Sequence, residues 1–364
     1  MRRIILNNVP FTEDELKIVG QYIAPTESWI APPKIYNTPI TAEQNLRAAL
    51  KGEDYLWMPT LTDICNVQSR INPDHIARAE VQDLGPKQAL EEKGGPDLFG
   101  VEWVFVPTVG GSMEKPGNPH LLNDANEWKE KIVWPDIDSF DWEGMAKLNA
   151  PFRDQPRVIG CTFQNGMFER LISFMGFEGA SMALIDEDQQ DAVKELFDKL
   201  ADMYIHFISK YREAIGVREV YFHDDWGSQR APFFSVDTCI EMIVPAIRKI
   251  ADWCHERDMI FQLHSCGKNE LLVPAMIEAH VDIWWGQAMN DKAMLYEKYG
   301  DKIMLGIDVP PLPMDADHET IVKTAKEFVA KYTKYPAMAA AFLTPPGMME
   351  EIYKQSRIAL CGIA

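Results

Sequence analysis

From about residue 157 onwards, short apolar strands alternate regularly with helical segments along the chain. The predicted strands of this part are 158–163, 217–223, 259–264, 281–285, 302–308 and 337–343. Two earlier strands, at 54–60 and 101–106, bring the predicted number to eight. Strands that alternate with helices of this length pair in parallel through right-handed crossovers. Eight of them predict a closed (β/α)8 TIM barrel, an α/β fold, with a doubly wound open sheet as the alternative.

The chain is predicted to be a single domain over residues 1–364, with an N-terminal helical extension at 1–53 and the barrel at 54–364. Within the extension, helices are expected at Thr12–Gln21 and Thr41–Leu50, and no strand is expected. Thr41-Ala-Glu-Gln44 has the spacing of a capping box, which marks a helix start. Long Pro/Gly-punctuated loops follow the first two strands, but no linker divides the chain.

Charge and cysteine usage limit the partners and the compartment. The chain has 36 basic and 55 acidic residues, a formal charge of −19, which disfavours nucleic acid and anionic membrane surfaces by repulsion. No apolar run approaches the roughly 20 residues that span a bilayer. Six scattered cysteines without paired spacing favour a reducing cytoplasm over a disulfide framework. The sequence leaves the oligomeric state open, with a homodimer among the options.

The stretch His264-Ser-Cys266 closes the predicted strand at 259–264. Residues i and i+2 of a strand point to the same face, so the imidazole and the thiol project together. A catalytic zinc site needs three protein ligands and an open position, and this pair would supply two of them. The alternative is a core histidine beside a buried free cysteine. The third ligand stays open among Asp225, Asp308, Asp224 and His223, whereas Cys161 and Cys361 are disfavoured by their predicted positions.

Polar residues follow most of the predicted strands, at the end where a β/α barrel keeps its active site. They are Asp63, Asn66, Gln164, Asn165, His223, Asp224, Asp225, Gln229, His264, Cys266, Gln287 and Asp308. Each taken alone has a structural explanation, because an aspartate after a strand often caps the next helix. Asp224 and Asp225 are adjacent, so their side chains face opposite ways and at most one is expected to act in the site.

Three of these strand ends, His-Asp-Asp-Trp-Gly-Ser-Gln at 223–229, His-Ser-Cys-Gly-Lys at 264–268 and Gly-Ile-Asp at 306–308, resemble the uroporphyrinogen decarboxylase superfamily. The resemblance covers roughly residues 40–360 and implies a (β/α)8 barrel. Decarboxylases of the superfamily carry Arg-Gln-Ala-Gly-Arg after the first strand, where the arginines hold substrate carboxylates. Residues 57–66 contain no basic side chain, so decarboxylation of a polycarboxylate is not expected.

The other branch of the superfamily is the corrinoid-dependent methyltransferases, which the His-x-Cys element resembles. In thiol-methylating members a later cysteine completes a zinc site, but residues 339–345 contain none. The chain is more similar to the methyltransferases of O-demethylase systems. These transfer a methyl group from a phenyl methyl ether to cob(I)alamin on a separate small corrinoid protein. A methylcobalamin:thiol methyltransferase is the first alternative, and a ligand-binding barrel without catalysis is the second.

The resemblance implies a set of roles and cofactors. His223, Asp225 and His264 are the expected catalytic residues, and His264 and Cys266 the expected zinc ligands. A pocket for a small methoxylated substrate should be lined by aromatic residues and methionine, and about half of the aromatic and methionine residues near the strand ends are expected to belong to the barrel core instead. The expected substrate-binding residues are Trp57, Met58, Asp63, Phe163, Asn165, Asp224, Gln229, Trp284, Trp285, Gln287 and Asp308. No Asp-x-His-x-x-Gly pattern is present, so the corrinoid is expected on a cobalamin-binding partner protein.

Overall fold

The computed structural model describes residues 7–23, 33–67, 71–79, 92–108, 110–341 and 344–362. The strands of these residues are β1 (Ile18–Gln21), β2 (Lys34–Tyr36), β3 (Ile64–Asn66), β4 (Gly94–Pro96), β5 (Glu102–Val106), β6 (Gly111–Glu114), β7 (Val158–Phe163), β8 (Glu219–His223), β9 (Ile260–Ser265), β10 (Ile283–Gly286), β11 (Met304–Asp308) and β12 (Ala337–Ala340). Positions 342–343, the end of the last predicted strand, lie outside the described residues.

The helices of the described residues mostly follow the strands of the second half. They are α1 (Ala42–Lys51), α2 (Pro73–Ala77), α3 (Trp128–Lys131), α4 (Trp142–Asn149), α5 (Met167–Ala183), α6 (Gln190–Ile215), α7 (Val236–Thr238), α8 (Val244–His255), α9 (Val273–Glu278), α10 (Lys292–Tyr299), α11 (His318–Lys331) and α12 (Met348–Leu360). A π-helical turn, Cys239–Ile243, joins α7 to α8. Among the described helices, none combines the length and the apolar character that crossing a bilayer requires.

One parallel sheet organises the molecule. Its strands follow the order β12-β11-β10-β9-β8-β7-β3, so neighbours in space are neighbours in sequence. A parallel bridge between Thr60 and Ala339 links the chain just before β3 to β12, at the opposite edge of the sheet. The sheet is therefore curled into a TIM-barrel-like α/β fold, which confirms the predicted fold class.

Both early strands were predicted wrongly. Residues 54–60 form no strand apart from the isolated bridge at Thr60, and the predicted second strand, 101–106, is not part of the barrel. Those residues form β5, the middle strand of a separate antiparallel sheet with β4 and β6. The place beside β7 in the barrel is taken by β3, whose Ile64 pairs with Val158. The sequence did not predict β3 as a strand, because β3 has only three residues and directly follows a 3-10 turn at Leu61–Asp63. Three residues are too few to show the apolar pattern of a strand.

The N-terminal region contains one of the two expected helices. Helix α1 begins after Thr41, whose Oγ1 accepts from the Gln44 N–H at 3.2 Å, while Gln44 Oε1 accepts from the Thr41 N–H at 2.8 Å. The capping box is thus confirmed. The expected helix over Thr12–Gln21 is wrong: a 3-10 turn at Glu13–Leu16 leads into β1, which pairs antiparallel with β2. A single turn followed by a strand leaves too few residues for a stable helix.

Alternation along the barrel strands separates two layers of core. On β8 and β9, Tyr221 and Ile260 belong to the cluster inside the barrel, whereas Phe222 and Phe261 pack in the larger core between strands and helices. The interior cluster consists of Leu46, Ala49, Leu50, Tyr55, Ile64, Val158, Tyr221, Ile260, Ile283, Trp285, Met304, Met338, Ala340 and Leu360. Since successive side chains of a strand point to opposite faces, this pattern fixes which residues reach the interior at the strand ends.

Candidate functional site

Two neighbouring strands, β8 and β9, bring the two site histidines together. His223 is the register partner of His264, and their ring centroids lie 5.0 Å apart. Both residues continue the inward-facing series of their strands, His223 after Tyr221 and His264 after Gln262. The two imidazoles therefore lie at the carboxyl end of the barrel interior, as the sequence predicts.

A compact cluster forms where the chain leaves these strands. One ligand atom from each of His223, Asp225, His264 and Cys266 lies within 4.8 Å of the others. His223 Nε2 donates to Asp225 Oδ1 at 2.8 Å, and His264 Nε2 lies 3.4 Å from Cys266 Sγ. The Cys266 N–H donates to Asp225 Oδ1 at 2.7 Å, so the carboxylate joins the two loops. We call these four residues the His/Asp/Cys cluster.

The donor set of the His/Asp/Cys cluster fits zinc. Zinc takes imidazole nitrogen, thiolate sulfur and carboxylate oxygen in tetrahedral geometry, with bonds of ~2.0–2.3 Å that place ligand atoms ~3.3–3.8 Å apart. The four ligand atoms of the cluster all lie within 4.8 Å of one another, which is near that spacing. Of the residues that the sequence leaves open as a third ligand, Asp225 and His223 are in the cluster, whereas Asp224 and Asp308 are not.

Burial and mutual attraction set the charges of the cluster. Burial, with repulsion from His223, lowers the pKa of His264 to about 3, so its imidazole is neutral and free to act as a ligand. Burial favours neutral His223 and neutral Asp225, but their attraction outweighs it. The pKa of His223 is therefore raised and that of Asp225 lowered. Burial raises the pKa of the Cys266 thiol, an effect that a bound cation would reverse because coordinated thiols are deprotonated.

Asp224 faces away from the His/Asp/Cys cluster. Its carboxylate accepts the N–H groups of Phe168 at 3.1 Å and Glu169 at 2.9 Å, and the indole N–H of Trp226 at 2.8 Å. It therefore caps the first turn of α5, where free N–H groups favour an acceptor. Burial and the nearby Glu169 raise the pKa of Asp224 to about 7. The structure thus shows Asp224 as a cap of α5, and its expected contact with substrate stays a prediction.

Behind His223 lies a buried polar group that the sequence analysis did not single out. Glu169, in the first turn of α5, forms an ion pair with Arg78 at 2.7 Å, and Arg78 also donates to Asn165 Oδ1. His223 Nδ1 lies 3.2 Å from Gln164 Oε1 and 4.0 Å from Glu169 Oε2. In the sequence, Glu169 comes one helical turn after Gln164 and Asn165, the polar residues at the end of β7. This position near a strand end was the only sequence feature that could have pointed to Glu169 as a site residue.

Several expected pocket residues surround the cluster. The Trp285 indole N–H donates to Gln262 Oε1, and its ring lies so close over Gly306 that an added Cβ there would be 2.1 Å from a ring carbon. Gln287 Oε1 accepts from the Gly267 N–H at 2.7 Å, which holds the loop after Cys266. Asp308 is half-exposed and paired with Lys292 at 2.6 Å. Of these residues, Gln287 is thus the one that supports the loop carrying Cys266.

Other expected pocket residues lie elsewhere. Trp57 packs on Tyr353 with ring centroids 5.3 Å apart, and Gln229 is on the exposed loop after β8. Asp63 lies beside Arg157, at the amino end of β7. It is thus remote from the carboxyl ends of the strands, where the His/Asp/Cys cluster lies. The remaining three are buried in the core between the sheet and the helices: Met58, Phe163 and Trp284. The register of a strand decides whether an apolar residue near its end points into the barrel or toward the helices. The residue type does not show which, so these pocket positions could not be predicted from the sequence.

A buried carboxyl group, Glu219, lies deeper in the barrel at the start of β8. Its Oε1 accepts from Gln262 Nε2 at 2.7 Å, and Oε2 has no hydrogen-bond partner among the described residues. Burial raises its pKa well above the usual value. The folded protein therefore retains this proton where the unfolded chain, with a pKa of about 4.3, releases it, so stability is lost as the pH rises.

We expect Glu219→Gln, which cannot ionise, to gain thermal stability over the wild type as the pH is raised. The difference should be small at about pH 5 and should grow by up to ~1.4 kcal/mol per pH unit until the folded carboxyl ionises. Melting temperatures of both proteins between about pH 5 and 9 test this. A difference that stays constant over this range would mean that Glu219 is already ionised in the folded protein.

Fold and site together define a class: an α/β barrel that carries a metal-type donor set at the carboxyl ends of its strands. The model of the family described as uroporphyrinogen decarboxylase (URO-D) matches residues 157–350, more than half of the chain. The chain therefore belongs to the uroporphyrinogen decarboxylase family, and the resemblance found in the sequence is confirmed at this level. A comparison with curated protein sequences gives no match.

Several solved structures align with this chain. A methyltransferase from Methanosarcina mazei aligns over 88% of this chain and 98% of its own, with 16% identity and a TM-score of 0.59. A family-18 chitinase from Flavobacterium johnsoniae aligns over 66% of this chain and 84% of its own, with 13% identity and a TM-score of 0.32. A D-psicose 3-epimerase from Clostridium cellulolyticum covers 62% and 83%, with 9% identity and a TM-score of 0.36. Only the methyltransferase has a TM-score above 0.5, and at 16% identity it shows a likeness of fold alone.

Proposed function

We propose that the protein is a corrinoid-dependent methyltransferase, which moves a methyl group from a small, aromatic methyl ether to cob(I)alamin on a separate corrinoid protein. The observation that carries this proposal is the His/Asp/Cys cluster at the carboxyl end of the barrel. Membership of the URO-D family and the fold shared with the M. mazei methyltransferase support it. So does the absence of basic residues in 57–66, which disfavours a polycarboxylate substrate.

The reaction needs help at the ether oxygen. The electron pair of cob(I)alamin forms the new cobalt–carbon bond, the methyl–oxygen bond breaks, and the aryl oxygen keeps the bonding pair and takes a proton. His264 and Cys266, with Asp225 or His223, would hold zinc, which supplies a Lewis acid for that oxygen. If His223 stays outside the metal site, its raised pKa makes it a proton donor that Asp225 orients.

One aromatic side chain of the barrel interior lies beside the His/Asp/Cys cluster. Trp285 lies in the barrel interior next to His264 in register, and its indole is fixed by the bond to Gln262. The corrinoid would approach from the open end of the barrel on its partner protein, since the chain has no cobalamin-binding pattern of its own.

The test is a methyl-transfer assay with a reduced corrinoid protein and a panel of methoxylated phenols. We expect the cob(I)alamin absorbance to be replaced by that of methylcobalamin, with one equivalent of the demethylated phenol formed. A protein-free mixture gives the background rate. If no methoxybenzene reacts while methylcobalamin and a thiol do, the protein is a thiol methyltransferase. If neither reaction runs, the ligand-binding alternative stands.

A further inference from the structure

The side chain of Asn269 contacts the main chain of the loop that carries Cys266. Its Nδ2 group donates to the Cys266 carbonyl oxygen at 2.5 Å and to Ser265 Oγ at 2.8 Å. Because a carbonyl oxygen only accepts, the contact with Cys266 identifies the NH2 end of the amide. Asn269 and Ser265 are both fully buried. The Asn269 amide therefore fixes the peptide unit that follows the Cys266 side chain.

Ser265 extends this contact to the loop after β8. Its Oγ accepts from the Trp226 N–H at 2.9 Å and from Asn269 Nδ2, and it lies 3.3 Å from the Cys266 carbonyl oxygen, to which it can donate. All the hydrogen-bonding capacity of the hydroxyl is thus used. Trp226 follows Asp225 directly, and Asp225 Oδ1 accepts from the Cys266 N–H at 2.7 Å. The loops of Asp225 and Cys266 are therefore joined twice, once directly and once through Ser265.

Two glycines allow these loops to approach so closely. A Cβ on Gly267 would lie 2.2 Å from the Gly227 carbonyl oxygen, and a Cβ on Gly227 would lie 2.2 Å from Asn269 Oδ1. Gly267 also has a φ of +96°, in the left-handed region that favours glycine. The glycines of the motifs at 223–229 and 264–268 thus serve the packing of one loop on the other, with Asn269 between them.

Helix capping does not explain Asn269. The 3-10 turn Glu270–Leu272 begins after it, which is the usual place for a capping asparagine. The Asn269 side chain nevertheless makes no cap hydrogen bond, and its Oδ1 has no partner among the described residues. Its two side-chain hydrogen bonds both go to the loop of Cys266.

We infer that Asn269, acting with Ser265, is a positioning residue of the His/Asp/Cys cluster and holds Cys266 in the orientation that zinc binding requires. This inference deepens the proposed function and rests on its metal site alone. Cys266 Sγ lies 3.4 Å from His264 Nε2, within the ~3.3–3.8 Å that separates two ligands of one zinc ion. Side chains that hold metal ligands in place typically contribute about tenfold to a hundredfold to metal affinity.

The zinc affinity of the full chain, measured by competition with a chromophoric chelator, tests this inference without the corrinoid partner. Asn269→Ala removes both side-chain donors but keeps the Asn269 N–H, which donates to Asn290 Oδ1 at 2.8 Å. We expect the Kd of this variant for zinc to rise about tenfold to a hundredfold over that of the wild type. A Kd within about twofold of the wild type would overturn the inference.

Asn45→Ala is the matched control. Asn45 is also a fully buried asparagine whose Nδ2 donates to a main-chain carbonyl, that of Trp57 at 2.8 Å, and it lies in α1, outside the cluster. We expect both variants to lose thermal stability, and only Asn269→Ala to lose zinc affinity. Equal weakening of zinc binding in Asn45→Ala would show a general loosening of the fold and would count against Asn269 as a positioning residue.

Cobalt(II) bound in place of zinc reports the sulfur ligand directly. We expect the wild type to show a sulfur-to-cobalt charge-transfer band together with the strong visible bands of tetrahedral cobalt. In Asn269→Ala the charge-transfer band should be weaker at saturating cobalt, because the thiolate is less well oriented. An unchanged spectrum would mean that the orientation of Cys266 does not depend on Asn269, and the inference would fail.

Ser265→Ala decides the matter if Asn269→Ala does not fold. It removes the hydroxyl that links Trp226 to Asn269 and keeps the contact between Asn269 and Cys266. We expect its Kd for zinc to rise about tenfold. Wild-type affinity in this variant would refute the role of the linked pair.

The outcome separates this inference from the proposed function. Zinc binding that depends on Asn269, in a protein that transfers no methyl group, would support the inference and contradict the methyltransferase. Methyl transfer by a protein whose zinc affinity does not respond to Asn269→Ala would support the methyltransferase and overturn the inference. A wild type that binds no zinc would overturn the metal site and the inference together.

Discussion

Methyl transfer by Cys266→Ala is expected to fall by about a hundredfold or more, together with the loss of bound zinc. The substitution removes the one sulfur atom of the His/Asp/Cys cluster, which lies 3.4 Å from His264 Nε2. It leaves the backbone N–H that donates to Asp225, so the loop geometry is retained. A positioned acid or metal site contributes ~10²–10⁴-fold to rate, which sets the size of the effect.

Metal analysis and the methyl-transfer assay on the same preparations measure this result. We expect about one zinc per chain in the wild type and a small fraction of that in Cys266→Ala and His264→Ala. Cys361→Ala is the control, because this cysteine lies outside the cluster. It follows the last residue of α12, where its backbone forms a parallel β-bridge with Asn7. Full zinc content and full activity in Cys266→Ala would refute the assignment of the cluster.

Arg170→Met is expected to lower the free energy of unfolding by ~3–5 kcal/mol, the cost of leaving buried charges unpaired. Arg170 is fully buried in α5 and bonds to two buried carboxylates, Asp74 and, at 2.8 Å, Asp97. These contacts tie the segment around α2 and β4 to the barrel. Methionine fills much of the same volume but leaves both aspartates without their counter-ion.

Chemical denaturation of the variant and the wild type measures this loss. Arg248→Met is the matched control, because its pair with Glu278 is partly exposed and water screens it. We expect that change to cost no more than ~1 kcal/mol. If Arg170→Met is as stable as the control, the buried triad contributes little, and α5 must be held by apolar packing alone.

The second half of the chain could be predicted closely because its pattern is local. Each strand from β7 to β12 is a short apolar run between helices, and parallel pairing in sequence order follows from that alternation. The first half could not. An apolar run such as 101–106 has the same appearance in an antiparallel sheet as in a barrel, and only contacts distant in sequence decide between them.

The candidate site divides in the same way. The His-x-Cys spacing and the strand-end position were enough to place His264 and Cys266 together, and adjacent parallel strands brought His223 and Asp225 to them. Arg78 could not be anticipated, because α2 reaches the site through a segment without a strand pattern. Trp57 and Phe163 were expected in the pocket, but packing on α12 and α6 directs them elsewhere.

The adjacent aspartates after β8 have a consequence for the thermodynamics of ligand binding. Asp224 is fixed by the first turn of α5 and Asp225 by the Cys266 N–H, so one peptide unit is anchored at both ends. Asp225 therefore loses its conformational freedom when the barrel folds. A ligand that binds later does not have to order this side chain, so its binding free energy carries no such entropy cost. Affinity at the cluster should then depend on the integrity of the first turn of α5, and it should weaken when that turn frays.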